Sequence, residues 1–138
     1  LMVYIQRRET FSASHRLYNP SWTEERNFEI FGKCSNKRGH GHNFQLIVVV
    51  KGEVNPETGF VMNLADLKNL IRLNIIASVD HTSLNEDIDF FFFFIPSTEN
   101  LVIAFWKILS PIIVDHGAEL HCVRIIETEN NSVEYFGK

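Results

Sequence analysis

Apolar and polar residues alternate at short period where the chain opens. Val3, Tyr4 and Ile5 are strand formers and Phe11 and Ala13 continue the pattern, which predicts a strand over residues 2–14 ending near His15. The run Phe44 to Val50 is apolar almost throughout and predicts a buried strand over roughly 43–52. Asn55-Pro56-Glu57-Thr58-Gly59 has turn chemistry, and residues 60–63 read as a brief extension of the sheet. The period then changes. Leu64, Leu67, Leu70, Ile71 and Ile75 recur at spacings of three and four, predicting an amphipathic helix over 64–77 with Asn63 as N-cap and Val79-Asp80-His81 in the loop behind it. A second helix starts at Ser97 or Thr98, carries Leu101, Ile103, Ala104, Phe105, Ile108 and Leu109 on its apolar face, and ends before Pro111. Alternation returns over 119–128 and 132–136 around the turn Glu129-Asn130-Asn131. The order ββααββ implies an α+β domain, a four-stranded antiparallel sheet with two helices on one face. In its third strand His121, Val123, Ile125 and Glu127 share one face, and Leu120, Cys122, Arg124, Ile126 and Thr128 the other.

Two stretches fall outside this pattern. Residues 16–33 form a long connection, with Asn19-Pro20-Ser21 as a turn and Trp22 to Phe31 as a short, mixed-charge helical or loop segment, of a length that is usually functional. Phe90 to Phe94 fits neither period and reads as packing, either buried or at a subunit contact. With 138 residues, 45% of them hydrophobic and 12 of them Phe, the chain reads as one domain, 1–138. A formal charge of −4 argues against a general nucleic-acid binder, so any phosphate affinity must be local. No apolar run reaches the roughly 20 residues of a membrane helix, so no membrane partner is expected. The basic pair Arg7-Arg8 follows the apolar start, the reverse of a secretory signal, and two cysteines suit reduced thiols in the cytoplasm.

The chemistry concentrates between Cys34 and Asn43. If His40 and His42 lie on one strand, its period of two puts both imidazoles on one face about 7 Å apart along the backbone, where they can share a metal ion. Gly39 and Gly41 let a ligand or another backbone come close. His15, on the face of Phe11 and Ala13, is a candidate third ligand. Three histidines make an open, catalytic zinc site; adding Cys34 as a fourth ligand makes a closed, structural one, and spacing alone does not choose. Cys34 also reads as a nucleophile or base activated by Lys33, Lys37 and Arg38, or as a plain half-buried thiol. Asp80-His81 is either a proton-transfer pair or a capping Asp beside a surface His. Glu127, in line with apolar neighbours, needs a partner: Arg, Lys or a ligand. His116, His121 and Cys122 receive no role.

Several segments together resemble the 6-pyruvoyl-tetrahydropterin synthase family of the animal type. They are Phe11-Ser-Ala-Ser-His-Arg-Leu, Phe31-Gly-Lys-Cys, Gly39-His-Gly-His-Asn, Gly59-Phe-Val-Met-Asn-Leu-Ala-Asp-Leu-Lys, Asp80-His81, Ser97-Thr-Glu-Asn-Leu and Glu127-Thr-Glu-Asn-Asn. The resemblance covers nearly the whole chain. It implies a tunnelling fold, with three sheets joined in a twelve-stranded barrel and two trimers stacked as a homohexamer. It also implies a zinc-dependent lyase that converts 7,8-dihydroneopterin triphosphate to 6-pyruvoyl-tetrahydropterin and triphosphate in tetrahydrobiopterin biosynthesis.

By position, the resemblance assigns one Zn²⁺ per subunit to His15, His40 and His42, and the general base to Cys34. Asp80 and His81 become proton relays from a neighbouring subunit. Glu127 becomes the pterin anchor, assisted by Ser97 and Thr98. Magnesium accompanying the triphosphate is left open. Relatives that make a carboxy-tetrahydropterin place their Cys three residues before the His-x-His pair rather than five, and an inactive zinc-bound oligomer is the other alternative. Thr82-Ser83, Pro96 and the Phe90 to Phe94 run depart from the family pattern. Arg7-Arg8-Glu9-Thr10 resembles a basophilic kinase site at Thr10.

Overall fold

In the computed structural model, which describes residues 1–89 and 95–138, β1 (Met2–His15) and β2 (His40–Glu53) pair antiparallel along their whole length, from Met2 opposite Glu53 to His15 opposite His40. Directly opposed residues share a face. Phe11 therefore meets Phe44 with rings stacked 4.9 Å apart, and the buried Leu46, Val48 and Val50 extend the same face. β4 (Glu119–Thr128) adds to the far side of β2, and β5 (Asn131–Tyr135) to β4.

The sheet differs from the expected four antiparallel strands. A fifth, β3 (Thr82–Ser83), lies parallel to β1 beside Ala13 and Ser14, giving a mixed sheet of order β3-β1-β2-β4-β5. Two residues are too few to carry an alternation, which is why the pattern did not announce it. The long connection takes the helical of its two readings: α1 (Glu24–Phe31), a third helix beside the ββααββ order, is capped by the Thr23 hydroxyl on Arg26 N–H, and a 3₁₀ turn (Gly32–Ser35) leads on toward β2.

Residues 60–63 form a bend rather than a strand, and Asn63 caps α2 (Leu64–Ile71) by accepting from Ala65 N–H. The predicted helix continues through a π turn (Arg72–Ile76) into a last turn, α3 (Ala77–Val79). α4 (Thr98–Asp115) runs past the expected stop, with Pro111 inside it. An interior proline costs about 3 kcal/mol. Leu109 and Ile113, both fully buried, hold the turns on either side of it and offset that cost at about 1.5–3 kcal/mol each.

Both helical segments pack on one face of the sheet. Leu67, Ile71 and Ile75 from one side and Leu101, Phe105 and Leu109 from the other join Phe11, Phe44 and Leu46 in a single core. β4 departs from simple alternation. Its register against β2 shifts between Val49 and Val50, so Cys122 opposes Val49 and Leu120 opposes Val50, leaving His121 as the extra residue. Leu120 thereby joins Val123 and Ile125 in the core, and His121 packs instead against Tyr4 and Phe136. The Phe90 to Phe94 run, read from sequence as packing, lies outside the described residues. Among the described residues, no helix is long and apolar enough to cross a membrane.

Candidate active site

The full-length β1–β2 register decides the site. His15 stands opposite His40 and Ala13 opposite His42, so all three imidazoles project from the helix-covered face at one end of the sheet. One ligand atom from each lies within 4.8 Å of the others, the only such potential metal group among the described residues. Gly39 makes the approach possible. Its φ is +70°, and a Cβ there would sit 2.8 Å from the His15 carbonyl oxygen.

The tautomers and charge states suit a cation. His15 is buried, and its Nδ1–H donates to the Pro96 carbonyl at 2.8 Å, which leaves the Nε2 lone pair facing the site. His15 Nε2 and His40 Nε2 are 3.1 Å apart, close to the ~3.3 Å that two nitrogens span on a tetrahedral zinc. His42 Nε2 is buried without a hydrogen bond; Glu127 Oε1 lies 3.3 Å away but not in line for one. Burial is the main cause that lowers the pKa of all three, helped by neighbouring imidazoles and opposed by Glu127. Neutral imidazoles are the metal-binding form. The donor set fits zinc.

Among the described residues Glu127 has neither Arg nor Lys for a partner. Its Oε2 accepts from the hydroxyl of Thr98, a buried residue in the first turn of α4, while Oε1 faces His42. Ser97 is the helix cap, accepting from Asn100 N–H at 3.2 Å. Cys34 is a free, half-buried thiol in the 3₁₀ turn and stands outside the three-histidine group; its carbonyl is tied to Leu17 N–H at 2.8 Å.

Asp80 and His81 do contact each other, Oδ2 to Nδ1 at 3.0 Å. The pair hangs on the outer edge of β1, where Asp80 Oδ1 accepts from Ser12 N–H at 2.8 Å and His81 N–H donates to Ser12 O at 2.6 Å. That Ser12 hydrogen bond is the main cause holding the Asp80 carboxyl below its ordinary pKa, with His81 adding to it against partial burial. His81 adopts φ +61° with its side chain 83% exposed, a strained backbone for a residue with a Cβ. Within one chain the dyad is not part of the histidine group.

Residues 4–138 match the family described as 6-pyruvoyl tetrahydropterin synthase. The chain belongs to that family. It is 42% identical over 134 residues to the 6-pyruvoyl tetrahydrobiopterin synthase of Homo sapiens, covering 97% of this chain and 91% of the relative, and 43% identical over the same span to that of Pongo abelii. The solved structure of Caenorhabditis elegans 6-pyruvoyl tetrahydropterin synthase matches with a TM-score of 0.92 at 37% identity, covering 100% of this chain and 97% of the other.

Against this 6-pyruvoyl tetrahydropterin synthase frame, three supporting groups had no individual signal in the sequence. Pro96, a departure from the family pattern, supplies the carbonyl that fixes the His15 tautomer. The Ser12 backbone holds the Asp80–His81 pair. Asn85 brackets Arg16, accepting from its N–H at 2.7 Å and donating to its carbonyl at 2.9 Å. In each of these contacts at least one partner is a backbone group, which leaves no residue type to read on that side.

Proposed function

We propose that this chain is a zinc-dependent 6-pyruvoyl-tetrahydropterin synthase, a lyase that converts 7,8-dihydroneopterin triphosphate to 6-pyruvoyl-tetrahydropterin and triphosphate. The observation that carries the reading is the convergence of three neutral imidazoles on one point, His42 Nε2 without a hydrogen bond, next to a carboxylate fixed by Thr98.

His15, His40 and His42 would hold one zinc per subunit, and zinc there supplies Lewis-acid polarisation of the substrate's side-chain hydroxyls. Glu127 anchors the pterin by accepting two parallel hydrogen bonds from its guanidine-like edge, with Thr98 orienting the carboxylate and Ser97 shaping the helix end beside it. Cys34 removes a proton from the activated side chain as general base. Asp80 and His81 hold and return protons. Their position on the exposed edge of β1 suits delivery to the site of a neighbouring subunit.

The proposed assembly is a homohexamer, two stacked trimeric barrels, in which neighbouring sheets cover the edge of β5 and the part of β1 that the two-residue β3 leaves unpaired. One domain over 1–138, a cytoplasmic setting for the free thiols Cys34 and Cys122, and magnesium travelling with the substrate triphosphate complete the proposal. The spacing of five residues between Cys34 and His40 favours the pyruvoyl over the carboxy product.

The experiment is an assay of triphosphate release with product identification, on zinc-loaded protein and on Cys34→Ala. The wild type should form the pyruvoyl product, and the variant should keep its zinc while losing about 10²–10⁴-fold in rate. Undiminished turnover in the variant removes Cys34 as the base; an inactive wild type removes the activity.

A further inference from the structure

A cavity of about 420 Å³ opens beside the histidine group, within the ~300–1,000 Å³ range of small-molecule sites. His15 lines it, as do Arg16, Lys37, Arg38, Asn85 and Glu86. Three cations against one carboxylate is an unusual local balance in a chain whose formal charge is −4. We propose that this cavity seats the triphosphate of the substrate, with Arg16, Lys37 and Arg38 as its cationic contacts. The inference rests on the function proposed above and names the part of the substrate site that it left unassigned.

Two lines of geometry support it. The first is order along the site. Glu127 faces His42, His15 faces His40, and His15 is the histidine that also borders the cavity. The substrate has the same order, pterin ring, hydroxylated side chain, then triphosphate, so a molecule anchored at Glu127 with its hydroxyls at the histidines directs its phosphates into the cavity.

The second is preorganisation. Arg16 is already held for an anion: Nε donates to the Ser35 carbonyl at 2.8 Å, the guanidinium lies 3.6 Å over the Tyr18 ring, and its backbone is fixed on both sides by Asn85. Its two Nη groups have no hydrogen-bond partner among the described residues, and a guanidinium presented this way suits phosphate oxygens. Among the described residues Lys37 is engaged only by Glu24, at 3.6 Å, with both side chains more than 70% exposed, a pairing too weak to compete with a polyphosphate. Arg38 has no ion-pair partner among the described residues.

The test is calorimetric titration of sodium tripolyphosphate, and separately of unphosphorylated dihydroneopterin, into zinc-loaded wild type, Lys37→Ala/Arg38→Ala and Glu86→Gln. Zinc content is confirmed equal in all three. Lys37, Arg38 and Glu86 are exposed, so these variants test charge rather than folding. The double variant should bind tripolyphosphate about tenfold or more weakly, the loss of one charge-assisted contact or more, while E86Q binds it more tightly. Dihydroneopterin affinity should be the same in all three. Equal tripolyphosphate affinity in wild type and double variant, or no tripolyphosphate binding by wild type, overturns the proposal. Because the titration needs no turnover, an inactive wild type that still binds tripolyphosphate through these cations would sink the proposed reaction and leave the anion site standing.

Discussion

Two polar clusters lie on the same face of the same strand pair and behave oppositely. Glu9 and His15 are six residues apart on β1, hence on one face and about 20 Å apart along the strand. Around Glu9, opposite charges meet. Arg7 donates to Oε1 through Nε and Nη2 at 3.1 and 2.9 Å, and Arg72, at the start of the π turn, adds a third bond at 2.8 Å. Around His15, like groups meet: three imidazoles converge, and His15 turns its Nε2 lone pair toward His40 Nε2 at 3.1 Å. A polar cluster that satisfies itself is a structural device; one that gathers three imidazoles and leaves the buried His42 Nε2 without a hydrogen bond has coordination to spare for a ligand. The cost of assembling the second cluster is carried by the β1–β2 ladder, whose register leaves the rings no other place.

The sharpest way to break the contrast is His40→Ala. It removes one of the three proposed ligands and leaves the buried core untouched, since His40 is half-buried at the strand end. We expect zinc content measured by elemental analysis to fall to background and triphosphate release with it, the largest effect among the variants considered. Retained stoichiometric zinc would mean that the three histidines are not the ligand set.

Glu127→Gln should act more mildly. It keeps the side-chain shape and the Thr98 contact but loses the anion that accepts the proposed pair of hydrogen bonds, so KM for the pterin should rise about 10–100-fold, equivalent to roughly 1.5–3 kcal/mol. Zinc content should be unchanged, because Glu127 approaches His42 without a hydrogen bond. Zinc loss in this variant would place the carboxylate in the metal site rather than the substrate site.

The contrast also explains what the sequence could and could not show. His40 and His42 were legible because a strand's period is a rule of backbone geometry, and His15 followed because the hydrophobic alternation of β1 carried it to the same face. Glu127 stood out as a charge in an apolar row, and its partner Thr98, 29 residues away on a different element, was set beside it only by the family resemblance, because no hydrophobic period links the two. The bulge at His121 reassigned Leu120 to the core because one extra residue inverts every side chain beyond it. β3 and the run of α4 through Pro111 were missed for a related reason: each is sustained by tertiary contacts, to the β1 backbone and to the core, rather than by local preference. Glu9 looked like part of a kinase-type motif ending at Thr10, but Arg7 is committed to Glu9 and Arg8 donates to Gln45 at 2.9 Å.

Glu9→Gln should have the smallest effect and sharpens the contrast from the structural side. Burial, the largest single influence, pushes the Glu9 carboxyl upward. The hydrogen bonds and charges of Arg72 and Arg7 together outweigh it and hold the pKa below the ordinary 4.5. With the folded value below the unfolded one, the unfolded chain binds more protons between the two, so stability rises with pH across that window. The contribution is fully present above about pH 4.5 and is lost as pH falls through the folded value. At neutral pH the variant should lose about 1 kcal/mol, moderated by the half-exposed Arg72, and urea titrations of the two proteins should converge as the medium is acidified below that window. Zinc content and turnover should match the wild type throughout. A Glu9→Gln protein that lost zinc would show that the two clusters communicate along β1, and the division between a self-satisfied end and a ligand-seeking end of the sheet would have to be abandoned.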